Sequence, residues 1–330
     1  SEEEKLADEI HRILTAQPVV IELVIYFLEN LNLSIPSKAM VTALTLLQFT
    51  SFDLAEYERE AQQEEFEEFY TEHFYNEHRR KYIRVVKKLT KVKPFKEGEK
   101  ISYRAHYGWL DAGTADLTIV KQDTAIDGNP VFHAVGEGKT LNVFEWFYKV
   151  RDVYETYMDE STLAPRKFKR RVNEGGYIIN RDYHFVPEKG EVNTASKGTI
   201  KTPSDVQDML SSFYYLRALD FSNAKKGQIF RINAFMDYEM WPFYVKYKGI
   251  EEVKVSMGTF RCHKFVPVVQ EGRVFKSEED MNVWVTADAN KIPILLQSKI
   301  LVGSVKMEIS GYSNLVAPIA KVEKKKSSWF

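Results

Sequence analysis

Residues 101–120, ISYRAHYGWLDAGTADLTIV, decide how the larger part of this chain is read. Ile101, Tyr103, Ala105, Tyr107 and Trp109 alternate with Ser102, Arg104, His106 and Gly108, and a period of two marks a strand with one buried face. Asp111–Gly113 then offers a turn into a second apolar run, Ala115–Val120. Outward from this stretch the pattern repeats. Lys167–Val172 and Tyr177–Phe185 flank Asn173-Glu174-Gly175-Gly176, a hairpin signal. Further strand-like runs lie at Gln228–Met236, Tyr244–Lys248, Glu252–Val255, Thr259–Val266, Met281–Thr286, Pro293–Ile300 and Ser304–Ile309. Many short strands separated by turn residues predict a large antiparallel sheet that curls or closes. Leu141–Tyr148 and Pro203–Leu219 read as helical interruptions, the second opened by Ser204-x-x-Gln207 at capping-box spacing.

Upstream of the sheet the period changes. Leu6, Ile10, Ile13 and Leu14 are spaced as on a helix, and Asp53–Lys88 carries acids at its amino end and Arg79, Arg80, Lys81, Arg84, Lys87 and Lys88 at its carboxyl end, which suits the helix dipole. The expected class is therefore α+β: an acidic helical segment over 1–90, a Lys-rich linker over 91–100, an antiparallel β domain over 101–315 forming a curved sheet or open barrel, and a basic tail over 316–330.

Composition narrows the function classes. The 330 residues are 44% hydrophobic and 13% aromatic, enough for a real core. One cysteine, Cys262, leaves no intrachain disulfide and no all-cysteine metal site. The apolar stretches Pro18–Leu28 and Ala39–Phe49 are too short to span a bilayer. Residues 1–90 hold 10 Lys/Arg against 17 Asp/Glu, and residues 91–330 hold 36 against 30. So mild a basic excess is no nucleic-acid footprint.

Sites for chemistry are sparse. Gly136-Glu137-Gly138-Lys139-Thr140 suggests a phosphate loop, but the first glycine such a loop needs would fall at His133, so the segment reads as a tight turn ending a strand. His106, His133 and His184 lie in strand-like segments and would make a metal-dependent hydrolase only if they converged. Cys262 and His263 are strand neighbours on opposite faces, a poor nucleophile–base couple. No cofactor, metal or catalytic residue is expected. Aromatics are more informative: Phe144–Tyr148 and Met240–Tyr244 are dense clusters. Such residues either fill a core or line an apolar cavity on the concave side of a curved sheet. The candidate ligand-binding residues are Trp109, Trp146, Trp241 and Trp284, with Arg104, Arg170 and Arg181 on nearby strands to hold an anionic head group at the rim.

Three blocks carry a family resemblance. Phe95–Tyr103 continuing to Gly108 and Ala112-Gly113, then Leu163–Phe168 followed by Asn173–Tyr177, then Val283–Thr286 with Asp288, Asn290, Ile292-Pro293-Ile294 and Gly303–Val305, resemble the bacterial "domain of unknown function 3108" family over about residues 95–315. The pattern Trp284-x-x-x-Asp288 with Ile292–Ile294 is also loosely similar to carriers of lipoproteins or lipids. The resemblance implies a curved antiparallel sheet, a periplasmic or cell-envelope location and no established reaction. The chain shows no signal peptide, so either a processed or engineered form is at hand or the compartment differs. The expected function is a non-enzymatic envelope protein, peripheral to the membrane at most, that binds an apolar or lipid-like ligand in its curved sheet. The alternative is a protein–protein interaction or scaffold module with a filled β core and an envelope protein as partner.

Overall fold

The structure is a computed structural model that describes residues 89–107, 110–121, 125–141, 149–267, 281–299 and 304–322. These residues form one sheet of fifteen strands. Strands β1 (Lys100–Tyr107), β2 (Leu110–Val120), β3 (Val131–Thr140), β4 (Arg151–Asp159), β5 (Pro165–Glu174), β6 (Tyr177–Val186), β7 (Glu191–Thr194) and β8 (Gly198–Lys201) run outward in chain order on one side. On the other side lie β9 (Val206–Gln207), β10 (Ile229–Met236), β11 (Glu239–Val255), β12 (Gly258–Pro267), β13 (Met281–Thr286), β14 (Pro293–Lys299) and β15 (Ser304–Ser313). The halves join at the centre, where β1 pairs with β15 from Lys100↔Ser313 to Tyr107↔Val305. All neighbours are antiparallel except β9 with β10.

This order forces curvature. The two edge strands, β8 and β9, are separated by only Thr202–Asp205, a span of at most about 18 Å from Lys201 to Val206. Laid flat, fifteen strands would place those edges about 67 Å apart. The sheet therefore bends until its concave face meets itself. Phe235 on β10 packs edge-on against Tyr183 on β6, centroids 5.2 Å apart, and against Phe185 at 6.1 Å. The β10–β11 turn, Asp237-Tyr238, has φ of 54° and 74° at its two central residues, the primed-turn geometry that matches strand twist. Its Asp237 accepts hydrogen bonds from both Arg170 on β5 (2.9 Å) and Arg181 on β6, tying the far ends of the sheet together.

Alternation explains which residues face inward. In β5, Arg166, Phe168, Arg170, Val172 and Glu174 are buried while Lys167, Lys169 and Arg171 are more accessible. The turn Gly175-Gly176 has φ of 56° and 95°, so the hairpin signal of residues 173–176 is a two-residue turn at its last two positions.

The one α-helix among the described residues, α1 (Met209–Ala218), lies against the concave face, where it contacts β3, β4, β9 and β10. Its N-cap is Asp208, which accepts from the backbone N–H groups of Leu210 and Ser211, while the Ser211 hydroxyl receives the N–H of Asp208. Ser204-x-x-Gln207 is thus not the capping box: Val206-Gln207 pairs as β9, and the helix begins only after it. Leu210, Tyr214 and Ala218, four residues apart, join Phe168, Tyr183, Phe185, Val192 and Phe235 in the main core. At Gly136 a Cβ would crowd Leu117 of β2 at 3.2 Å and meet Leu210 of the helix at an ordinary 3.6 Å. The segment 136–140 is the second half of β3, not a turn.

Two other expectations are corrected. Asp111–Gly113 lies inside β2, where Gly113 pairs with Ala105 and a Cβ would sit 2.8 Å from the Lys139 carbonyl oxygen. The α+β class gives way to a curved antiparallel sheet with a single helix among the described residues. Of the expected helical segment 1–90, residues 1–88 lie outside the described residues, as do residues 142–148 of the expected 141–148 helix. Leu89 pairs with Leu219 as an isolated bridge, and within 91–100 Phe95 and Glu99 are buried. Towards the carboxyl end, residues 314–322 are hydrogen bonded to the sheet, Arg261 N–H to the Ala320 carbonyl and Val322 N–H to that of Thr259.

Candidate functional site

The main core fills part of the concave face, and beside it the packing leaves a space unfilled. Between α1 and the inner faces of β1, β2 and β10–β15 lies a cavity of about 680 Å³. The strand side of its lining follows the ladder: Leu296 on β14 pairs with Met307 on β15 and with Val283 on β13, and Val283 pairs with Phe265 on β12. Trp241 and Ala234, paired between β11 and β10, continue it. The helix supplies Met209, Phe213 and Leu216, spaced three and four apart and offset from the Leu210–Tyr214–Ala218 face that packs into the core. A helix apolar on two sides is what a position between a packed core and a hydrophobic hollow requires.

Few polar groups reach the cavity. The Arg217 guanidinium, 1% exposed, donates to both oxygens of Glu99 (2.7 and 2.9 Å) and to the carbonyls of Pro94 and Asn290. This bidentate pair is self-neutralising. Tyr103, 4% exposed, carries a buried hydroxyl with no hydrogen-bond partner among the described residues, and so does the Trp241 indole N–H. Burial pushes the Tyr103 phenol far above its ordinary value, despite the Arg217 charge nearby, so it stays a donor at any working pH. Phe243, at 37% exposed, lines the cavity and also reaches solvent.

Of the five sequence-proposed residues that are among the described residues, only Trp241 lines this cavity. Trp284 alternates with the inward-facing Val283 and Val285, so its ring lies on the opposite face. There its N–H donates to Glu251 at 2.5 Å, and Lys264 Nζ lies 5.3 Å from the ring centre. Arg104 pairs with Asp111 at 2.9 Å and borders a polar recess of about 250 Å³ that also includes His106, Ser256 and Glu308. Arg170 and Arg181 point inward but are engaged by Asp237. Trp109 and Trp146 lie outside the described residues.

The three histidines are not brought together. His133 stacks on Tyr157 and bonds Glu155 at 2.9 Å, His184 bonds Asp127 at 2.7 Å, and His106 sits 3.9 Å from Glu308. Cys262 is fully buried, and burial raises its thiol to about 12, an inert state. Sequence reasoning missed Tyr103 and Arg217. Tyr103 sits at an inward position of the alternating run 101–109, and that signal was available. Arg217 was not readable, because a charged residue in the last turn of a helix normally faces water.

Residues 102–310 match the family described as "Protein of unknown function (DUF3108)". No curated protein matches the chain. Among solved structures, a β-barrel-like protein of the domain of unknown function DUF1849 from Brucella abortus is similar at TM-score 0.42 and 10% identity, covering 67% of this chain and 98% of that one. A Bacteroides fragilis protein with a YmcC-like fold, assigned provisionally as exported, is similar at TM-score 0.29 and 9% identity, covering 67% and 98%. A Parabacteroides distasonis protein assigned provisionally as a lipoprotein is similar at TM-score 0.25 and 8% identity, covering 66% and 96%.

Proposed function

We propose that this chain, which belongs to the DUF3108 family, is a binding protein that holds an apolar or lipid-like ligand inside its curved sheet. The observation that carries the reading is the cavity on the concave face: about 680 Å³ lined by Met209, Phe213, Leu216, Phe265, Val283, Leu296 and Met307. That volume lies in the range of small-molecule sites, and close-packed interiors hold few voids larger than a water molecule. The alternative, a scaffold module with a filled β core, does not account for it. The reading is of a binder rather than a catalyst, since apolar side chains make up most of the wall. A place in the bacterial cell envelope, implied by the family resemblance, belongs to the same proposal and is tested by cell fractionation.

The binding test uses the full chain with N-phenyl-1-naphthylamine, a dye that brightens in apolar surroundings, alongside native mass spectrometry of gently purified protein. Dye binding saturating near one site per chain, or a co-purifying lipid, is expected. Ala115→Phe and Ala234→Phe each add a ring to the cavity wall and should weaken dye binding by at least tenfold without lowering thermal stability. A chain that takes up no dye and carries no lipid, or binding that survives both substitutions, overturns the reading.

A further inference from the structure

Every polar side chain in the cavity wall is engaged or enclosed by the protein itself. Four of the lining residues carry one. The Ser212 hydroxyl donates to the Asp208 carbonyl at 2.7 Å, and the Arg217 guanidinium is neutralised by Glu99. The Tyr103 hydroxyl oxygen and the Trp241 indole nitrogen are fully buried atoms, with essentially no surface open to a bound molecule. A polar group drawn into the cavity would therefore give up its hydration without replacement, and an ion would lose more. The wall favours hydrocarbon alone.

Two further features say how that hydrocarbon sits. Met209, Met236 and Met307, three of the eight methionines of the chain, line the cavity. Methionine side chains are unbranched and adaptable, and surfaces rich in them accept molecules of varied shape. Phe243 is the one exposed residue of the wall, and the other lining residues are buried or half-buried. It marks the side on which a head group keeps its water.

We infer that the cavity is a chain site: it takes the hydrocarbon chain of an amphiphile, selects it by length, and leaves the head group outside beside Phe243, unread. The inference rests on the binder reading above and narrows its ligand class to long-chain amphiphiles of any head-group charge. Each methylene moved from water onto such a wall raises affinity about fourfold, until the chain fills the cavity. Ala115 on β2 lies six strand positions from Phe243 on β11, so a ring placed there occupies the far wall.

The experiment is isothermal titration calorimetry of the full chain with each amphiphile kept below its micelle concentration. Octanoate, decanoate and dodecanoate vary the chain under one head group. Dodecanoate, dodecyltrimethylammonium and dodecyl maltoside vary the head group over one chain. Affinity should rise at least tenfold for each two carbons added from eight to twelve, and the three dodecyl compounds should bind within tenfold of one another. Ala115→Phe should weaken dodecanoate at least threefold more than octanoate, because the longer chain reaches the far wall. A spread of more than tenfold across head groups, a smaller gain with chain length, or an Ala115→Phe variant that weakens both chains alike overturns this inference, while saturable dye binding leaves the binder reading standing. A chain that binds no dye and carries no lipid overturns both.

Discussion

Glu99 and Arg217 illustrate how much one buried pair can decide. The two lie 118 positions apart and meet at 2.7 and 2.9 Å where α1 ends against the start of β1. Arg217 also gathers the carbonyls of Pro94 and Asn290, so three segments, α1, the 94–99 stretch and the β13–β14 connection, meet at one guanidinium. Removing one partner leaves a buried charge alone, which costs about 3–5 kcal/mol, whereas removing both costs much less. Glu99→Gln and Arg217→Met should therefore each lower unfolding free energy in urea by about that amount. The double variant should recover a large part of the loss, giving a coupling energy of more than 1 kcal/mol. Independent, additive effects would show that the pair does not hold the cavity wall. Neither residue announced this role. Glu99 stands in a Lys-rich stretch that reads as a linker, and only the arrival of α1 desolvates it.

At the scale of the element, α1 is placed by its cap. Asp208 is buried and receives Leu210 N–H, Ser211 N–H and, at 2.5 Å, the hydroxyl of Thr156 on β4, so helix start and sheet are joined in one carboxylate. Burial dominates its titration and raises its carboxyl from 3.8 to about 6, against the lowering influence of those hydrogen bonds. A raised native value means that the folded state binds more protons between pH 4 and 6. Its favourable contribution is complete below about pH 4 and is lost as the pH climbs through 6. Asp208→Asn keeps an accepting oxygen and abolishes the titration. Thermal stability of the parent relative to this variant should fall from pH 4 to pH 6 and level off above, and a flat difference across that range would contradict the assignment. Asp208→Ala, which loses the cap, should be less stable by about 1–2 kcal/mol. The helix itself was legible from its apolar spacing, but its start was not: Val206-Gln207 has the composition of a first turn and is taken by the sheet edge.

For the whole molecule, the order of strands sets both shape and cohesion. Each half of the sheet is built of neighbours close in sequence, and the β1–β15 ladder joins the ends of a segment of more than 200 residues. Such pairing forms late and slowly, because loop closure must precede it. Once formed, it holds the halves together without the covalent link at the edges. Pro203 and Ser204 are exposed between β8 and β9. A protease site placed there and cut should leave the two halves eluting together in native size exclusion and parting only in denaturant. Separation after the cut under native conditions would mean that the β1–β15 ladder and α1 do not bind the halves.

Period-two alternation in Ile101–Tyr107, Lys167–Val172 and Tyr177–Phe185, with glycines between the latter two, was enough to call for a curved antiparallel sheet, because strand periodicity and turn chemistry are local properties. The family likeness lay in the same local blocks. Which side of each strand is concave, and where a space stays unfilled, depends on register and on where α1 lands. That is why Trp284 and Arg104 fall outside the cavity and Arg170 is consumed by Asp237, while Tyr103 and Arg217 enter the wall. A cavity exists only once distant segments fail to fill the space between them, and no stretch of chain carries that information by itself.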